Sequence, residues 1–183
     1  MKNKGFVFIE LMIVIGIISV GLVAAMGMIN RTQSEVNMAR SRLIATYLGQ
    51  EGMEIVRSIR DRNWIKEDAC WLDGLHDEGY DTIVLAAAGY NSDVLEIRYI
   101  DVDVESYLLE EGFRLYLHDG FYHHNTSPQP SDFFRAIKIV LKRDEEKNED
   151  YLEVDVYVLY EGGVTHISKV LYNWLSERSN CDE

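Results

Sequence analysis

The stretch Lys2–Ile29, KNKGFVFIELMIVIGIISVGLVAAMGMI, constrains this chain more than any other. Two lysines and a glycine lead into about 24 residues that carry a single charge, Glu10. At about 1.5 Å per helical residue, such a run is long enough to cross a hydrocarbon core of about 30 Å. Lys2 and Lys4 precede it, so the amino terminus is expected in the cytoplasm and the rest of the chain outside. No small-residue cleavage site follows the apolar core, which argues for an anchor that is kept rather than a secretory signal that is removed.

Glu10 is the exception within the run. A carboxylate in an apolar span is costly, so a functional partner is the default reading. A plainer reading puts it at the headgroup level, or makes it a complement to the helix N-terminal dipole. Its neighbours favour the functional one. Gly5 followed by Phe-Val-Phe-Ile-Glu-Leu-Met-Ile-Val-Ile-Gly-Ile-Ile resembles the prepilin signal of type IV pilins and type II secretion pseudopilins. In that family a short basic leader ends in Gly, a Phe follows, and a Glu stands four residues after the Phe. The resemblance covers about 25 residues and is specific within them; beyond them it is one of architecture.

The resemblance implies cleavage between Gly5 and Phe6 by a prepilin peptidase, N-methylation of Phe6, and a filament-assembly role for Glu10. The partners it implies are the peptidase, other pilin or pseudopilin subunits, an inner-membrane assembly platform and membrane lipid. The location it implies is the cytoplasmic membrane, single-pass, and later a filament that is extracellular or periplasmic. Cleavage would leave a new α-amino group on Phe6, charged at neutral pH. Inside a helix bundle, that amine could pair with Glu10 of a neighbouring subunit. Deleting one partner of a buried pair costs several kcal/mol, so the pair would set the axial register between subunits.

Past the anchor about 150 of the 183 residues remain, enough for one domain with its own core. The expected division is a leader over 1–5, a transmembrane or filament-core helix over 6–29, an exported helix half over 30–64 and a globular antiparallel-sheet domain over 65–183. A formal charge of -13 argues against nucleic-acid binding. No Pro or turn cluster follows the anchor, so the helix is expected to continue to about Arg62. At 100° per residue, Ile44, Leu48, Gly52, Ile55 and Ile59 share one face, with Val56 at its margin. This stripe is expected to pack on the chain's own sheet, with Gly52 permitting close approach. Val36, Ala39, Leu43 and Tyr47 form a second stripe, rotated away from the first. It either faces neighbouring helices in a filament or follows a curved sheet. The helix end QEGMEIVRSIRDRNW resembles pilin-like proteins of small-genome bacteria, and Trp64 is expected to plug the core beneath it.

Short strands are expected over Thr82–Ala87 and Val94–Ile100. Phe113–His118 and Phe121–His124 flank Asp119-Gly120, a two-residue hairpin turn. Phe133–Arg143, Leu152–Tyr160 and Val164–Leu175 alternate as strands. In Phe133–Arg143 the better core parity is Phe133, Ile137, Ile139 and Leu141, although Arg135 interrupts it. Hairpins in series pair antiparallel. The expected fold class is α+β: a long N-terminal helix packed on a twisted antiparallel sheet of about four strands, pilin-like by the resemblance.

Nothing in the sequence points to catalysis or a cofactor. It has no Gly-rich phosphate loop, nucleophile elbow or zinc motif. His118, His123 and His124 cluster at the hairpin, but adjacent strand residues face opposite sides and do not readily share a metal. Asp101, Asp103 and Glu105 fit a solvated acidic edge better than a calcium loop. Cys70 and Cys181 are the only cysteines. Outside the cytoplasm they either form a disulfide that ties the tail to the region after the helix or stay as two thiols. Related pilins often close a C-terminal segment with such a bond.

Overall fold

The computed structural model describes residues 4–66, 69–76, 82–86, 96–98, 108, 111–124, 129–144, 149–173 and 181. The first element, α1, is one helix over Lys4–Ile65, 62 residues long. The chain divides into two compact units, Met1–Arg40 and Ser41–Glu183.

The first unit is helical wherever it is described. Its most apolar window has a mean hydropathy of 2.6 and none of it is buried, so the helix is long and apolar enough to cross a membrane. Two hydroxyls on the same helix turn back to the backbone. Ser19 Oγ donates to the Ile15 carbonyl at 2.7 Å and Thr32 Oγ1 to that of Met28 at 3.0 Å. Bonds of this kind satisfy a polar group that an apolar solvent cannot.

The second unit is a helix on an antiparallel sheet. Its strands are β1 (Thr82–Ala86), β2 (Glu96–Arg98), β3 (Arg114–His118), β4 (Phe121–His123), β5 (Pro130–Asp144), β6 (Glu149–Tyr160) and β7 (Gly163–Tyr172). Three more strands join the sheet than the four expected, because β5 is long enough to take two partners on one edge. Its first residues pair with β3 and residues Ile137–Val140 pair with β1, while β6 runs along the other edge. β2 extends the sheet beyond β1, β4 beyond β3 and β7 beyond β6. Asp119 (φ 49°) and Gly120 (φ 83°) make the β3–β4 turn, both in the left-handed region that a two-residue hairpin needs. The continuation of the last strand to Leu175 and the Asp101–Glu105 run lie outside the described residues.

The main core lies between α1 and one face of the sheet. Val154, Val156 and Val158 of β6 and Ile137 and Ile139 of β5 are all 1% exposed or less. They meet Ala45, Leu48, Met53 and Val56 of α1. The packed helix face is therefore rotated from the expected stripe. Val56, placed at the margin, is wholly buried, and Ile44, Ile55 and Ile59 are only partly covered. The reason is size. Ala45, Gly49 and Gly52 let the helix backbone approach, and the isoleucines close one flank. A Cβ on Gly52 would stand 3.0 Å from Val156 Cγ1. Trp64 is 7% exposed and belongs to this core.

A second, smaller cluster was not foreseen. Phe134 and Ala136 alternate with Arg135 and Ile137 along β5, so they face the other side of the sheet. There they pack with Leu108 and Phe113, flanked by Tyr157 and Leu159.

Candidate functional site

The residues singled out at the amino terminus sit on the first turns of α1. The helix begins at Lys4, so the Gly5–Phe6 bond falls within its first turn. Glu10 follows Phe6 by four residues, which places the two on the same helix face. Glu10 is exposed and has no hydrogen bond or ion pair with a described residue. Phe8 through Ile29 are exposed as well, and the large apolar side chains among them are 46–73% exposed. Exposed apolar surface of that extent marks a contact with lipid or with another protein surface.

At the other end of α1, five contacts gather at one place. Cys70 and Cys181 form a disulfide with a Cα–Cα distance of 4.9 Å across a separation of 111 residues. Asn63 Nδ2 donates to the carbonyls of Trp71 (3.2 Å) and Asp73 (2.8 Å). Trp64 Nε1 donates to Asn173 Oδ1 at 3.2 Å, just past β7. The Arg60 guanidinium lies 4.4 Å over the Trp64 ring. The helix end, the loop after it, the end of the last strand and the chain's tail are thereby tied together.

Between these ends lies a buried polar group that the sequence did not disclose. Arg135 has no exposed surface. One of its nitrogens, Nη1, donates to the Leu48 carbonyl at 3.1 Å and to Glu51 Oε2 at 2.8 Å. Burial lowers its pKa, and the Glu51 carboxylate opposes that shift. His124 lies near enough to feel the Arg135 charge. Its pKa falls to about 3, chiefly from burial and then from Arg135, against a backbone hydrogen bond at Arg114. The Arg135 hydrogen bonds hold α1 on β5, and at neutral pH the imidazole beside them is uncharged. The local pattern gave no sign of this pairing, since Glu51 precedes Arg135 by 84 residues.

His118 is exposed at the hairpin turn, 3.5 Å from the Asp119 carboxylate, and His123 lies on β4. Among the described residues no three His, Cys, Asp or Glu side chains converge on a common point. An open cleft of about 560 Å³ lies against the second sheet face, lined by Asp132, Phe134, Leu159, Tyr160 and Glu161.

No protein-family model, curated protein or solved structure matches this chain.

Proposed function

We propose that this chain is a pilin-like structural subunit without catalytic activity of its own. It is cleaved between Gly5 and Phe6 by a prepilin peptidase, methylated on Phe6 and assembled through α1 into a type IV pilus-like or type II secretion filament. The observation that carries this reading is the helix Lys4–Ile65. Its apolar part is uncovered, and its one apolar-run charge, Glu10, stands four residues after Phe6. A tethered receptor also needs a span, but it more often joins its domain through a flexible linker than through unbroken helix. The large acidic domain favours a minor pilin or pseudopilin over the bulk subunit.

The test is the intact mass and N-terminal sequence of the protein from cells with and without a prepilin peptidase. The expected result is a peptidase-dependent N-terminus at Phe6, heavier by one methyl group. In the same cells Glu10→Ala is expected to be processed yet left out of filaments, since a buried amine without its carboxylate costs several kcal/mol. A chain that begins at Met1 in both strains overturns the reading. It leaves a permanently anchored single-pass ectodomain that binds a ligand outside the cell.

A further inference from the structure

We propose that copies of this chain dock through two unlike patches, the Arg40–Arg42 segment of α1 in one copy seating on the Asp132–Glu161 cleft of the next; this rests on the filament reading above. Charge is divided unevenly along the chain. Residues 1–42 hold five Lys/Arg and two Asp/Glu, and residues 43–183 hold thirteen and twenty-nine. The net values are +3 and -16, which together make the chain's -13.

Arg31, Arg40 and Arg42 are exposed, and none has an ion-pair partner among the described residues. Leu43 (55% exposed) and Tyr47 (62%) point away from the sheet, because Ala45, Leu48 and Gly52 take the opposite side of the helix. Arg40, Leu43 and Tyr47 are spaced i, i+3, i+7 and form one stripe, a cation beside two uncovered apolar side chains.

Two kinds of anionic surface would suit these arginines, lipid headgroups or protein carboxylates. Arg31 stands two residues past Ile29, at headgroup depth. Arg40 and Arg42 are 11 and 13 residues past it, about 16–20 Å along the helix. The screening length at physiological salt is only about 8 Å, so lipid charge does not reach them. A protein surface remains, and this chain's own domain supplies it.

The cleft on that domain matches the stripe in kind. Asp132 and Glu161 are exposed at its rim, and neither has an ion-pair partner among the described residues. Phe134, Leu159 and Tyr160 give it an apolar lining. The Arg114 guanidinium already lies 4.9 Å over the Phe134 ring, so an incoming arginine meets the two carboxylates instead. Leu43 and Tyr47 then cover Leu159 and Tyr160. The two surfaces are different patches of one molecule, so the contact is heterologous and can repeat from copy to copy, as an open helix unless the rotation between copies closes a ring.

A photo-crosslinking benzophenone side chain in place of Tyr47, in the full chain in cells, tests this contact. Irradiation is expected to give covalent dimers whose crosslinks map to 129–134 or 159–163 of the second copy. Arg40→Glu with Arg42→Glu lowers the dimer yield roughly five- to ten-fold. Asp132→Lys with Glu161→Lys lowers it similarly, and combining the two pairs restores it. Fibres that form normally while Tyr47 crosslinks elsewhere, or a yield indifferent to charge reversal, overturn the docking and leave the filament reading standing. An uncut chain with no fibres sinks the filament reading; if dimers are then missing too, the docking falls with it.

Discussion

The Arg135 guanidinium is fully buried where α1 crosses β5, and it keeps its charge because the helix meets it with a carbonyl and a carboxylate. The same cation weighs on His124. Above pH 6.5 the imidazole is neutral in both the folded and the unfolded chain, and burying it costs no proton. Between 6.5 and about 3 the unfolded chain binds a proton that the folded chain rejects. Stability therefore falls as pH drops through that window, by up to roughly 1.4 kcal/mol per pH unit from this one group. His124→Gln removes the titration. Urea unfolding from pH 7 to pH 4 is expected to show a shallower loss of stability for the variant than for the wild type. Equal slopes would place the histidine in water in the folded state.

At the scale of elements, the contact between α1 and the sheet is set by two glycines. A methyl group on Gly52 meets Val156 at 3.0 Å, Ile137 at 3.3 Å and Arg135 Cδ at 3.4 Å, three side chains fixed in the core. On Gly49 it meets the end of Ile167 at 2.8 Å, a half-buried side chain that can turn aside. Alanine in place of glycine gains about 1 kcal/mol of helix propensity, whereas overpacking a core costs about 1–3 kcal/mol. Gly52→Ala is expected to destabilise the domain by about 1 kcal/mol, and Gly49→Ala to be close to neutral, both measured by urea midpoint at constant slope. The sequence foretold the role of Gly52 and the turn at Asp119-Gly120, because each depends on the residue itself and its neighbours. It misplaced the centre of the helix face, because counting isoleucines weighs hydrophobicity and overlooks how closely small residues let backbones approach. Arg135 read as a defect in its strand because its partners belong to a distant element. Among the residues singled out for function, the Gly5, Phe6 and Glu10 pattern is local and could be read directly. The Asp132–Glu161 cleft arises where the ends of β5 and β6 meet, and no spacing in the sequence announces it.

The molecule as a whole joins a helix long and apolar enough to cross a membrane to a domain closed by a disulfide. In the domain the Cys70–Cys181 bond closes 111 residues, from just after α1 to the third residue from the end. A disulfide acts mainly on the unfolded chain, and a loop of about 100 residues is worth up to about 4–5 kcal/mol in the entropy account. The native contacts near it do not depend on it, because Asn63 and Trp64 make their own hydrogen bonds to the loop and to Asn173. Cys181→Ser is therefore expected to keep the near-ultraviolet spectrum of the folded domain while losing about 2–5 kcal/mol of stability. Reductant is expected to shift the wild-type unfolding midpoint to that of the variant and to leave the variant unmoved. A wild-type midpoint indifferent to reductant would mean that the two cysteines remain thiols in the folded protein. A variant with an altered native spectrum would mean that the bond shapes the folded domain directly, and that the Asn63 and Trp64 hydrogen bonds do not hold the helix end without it.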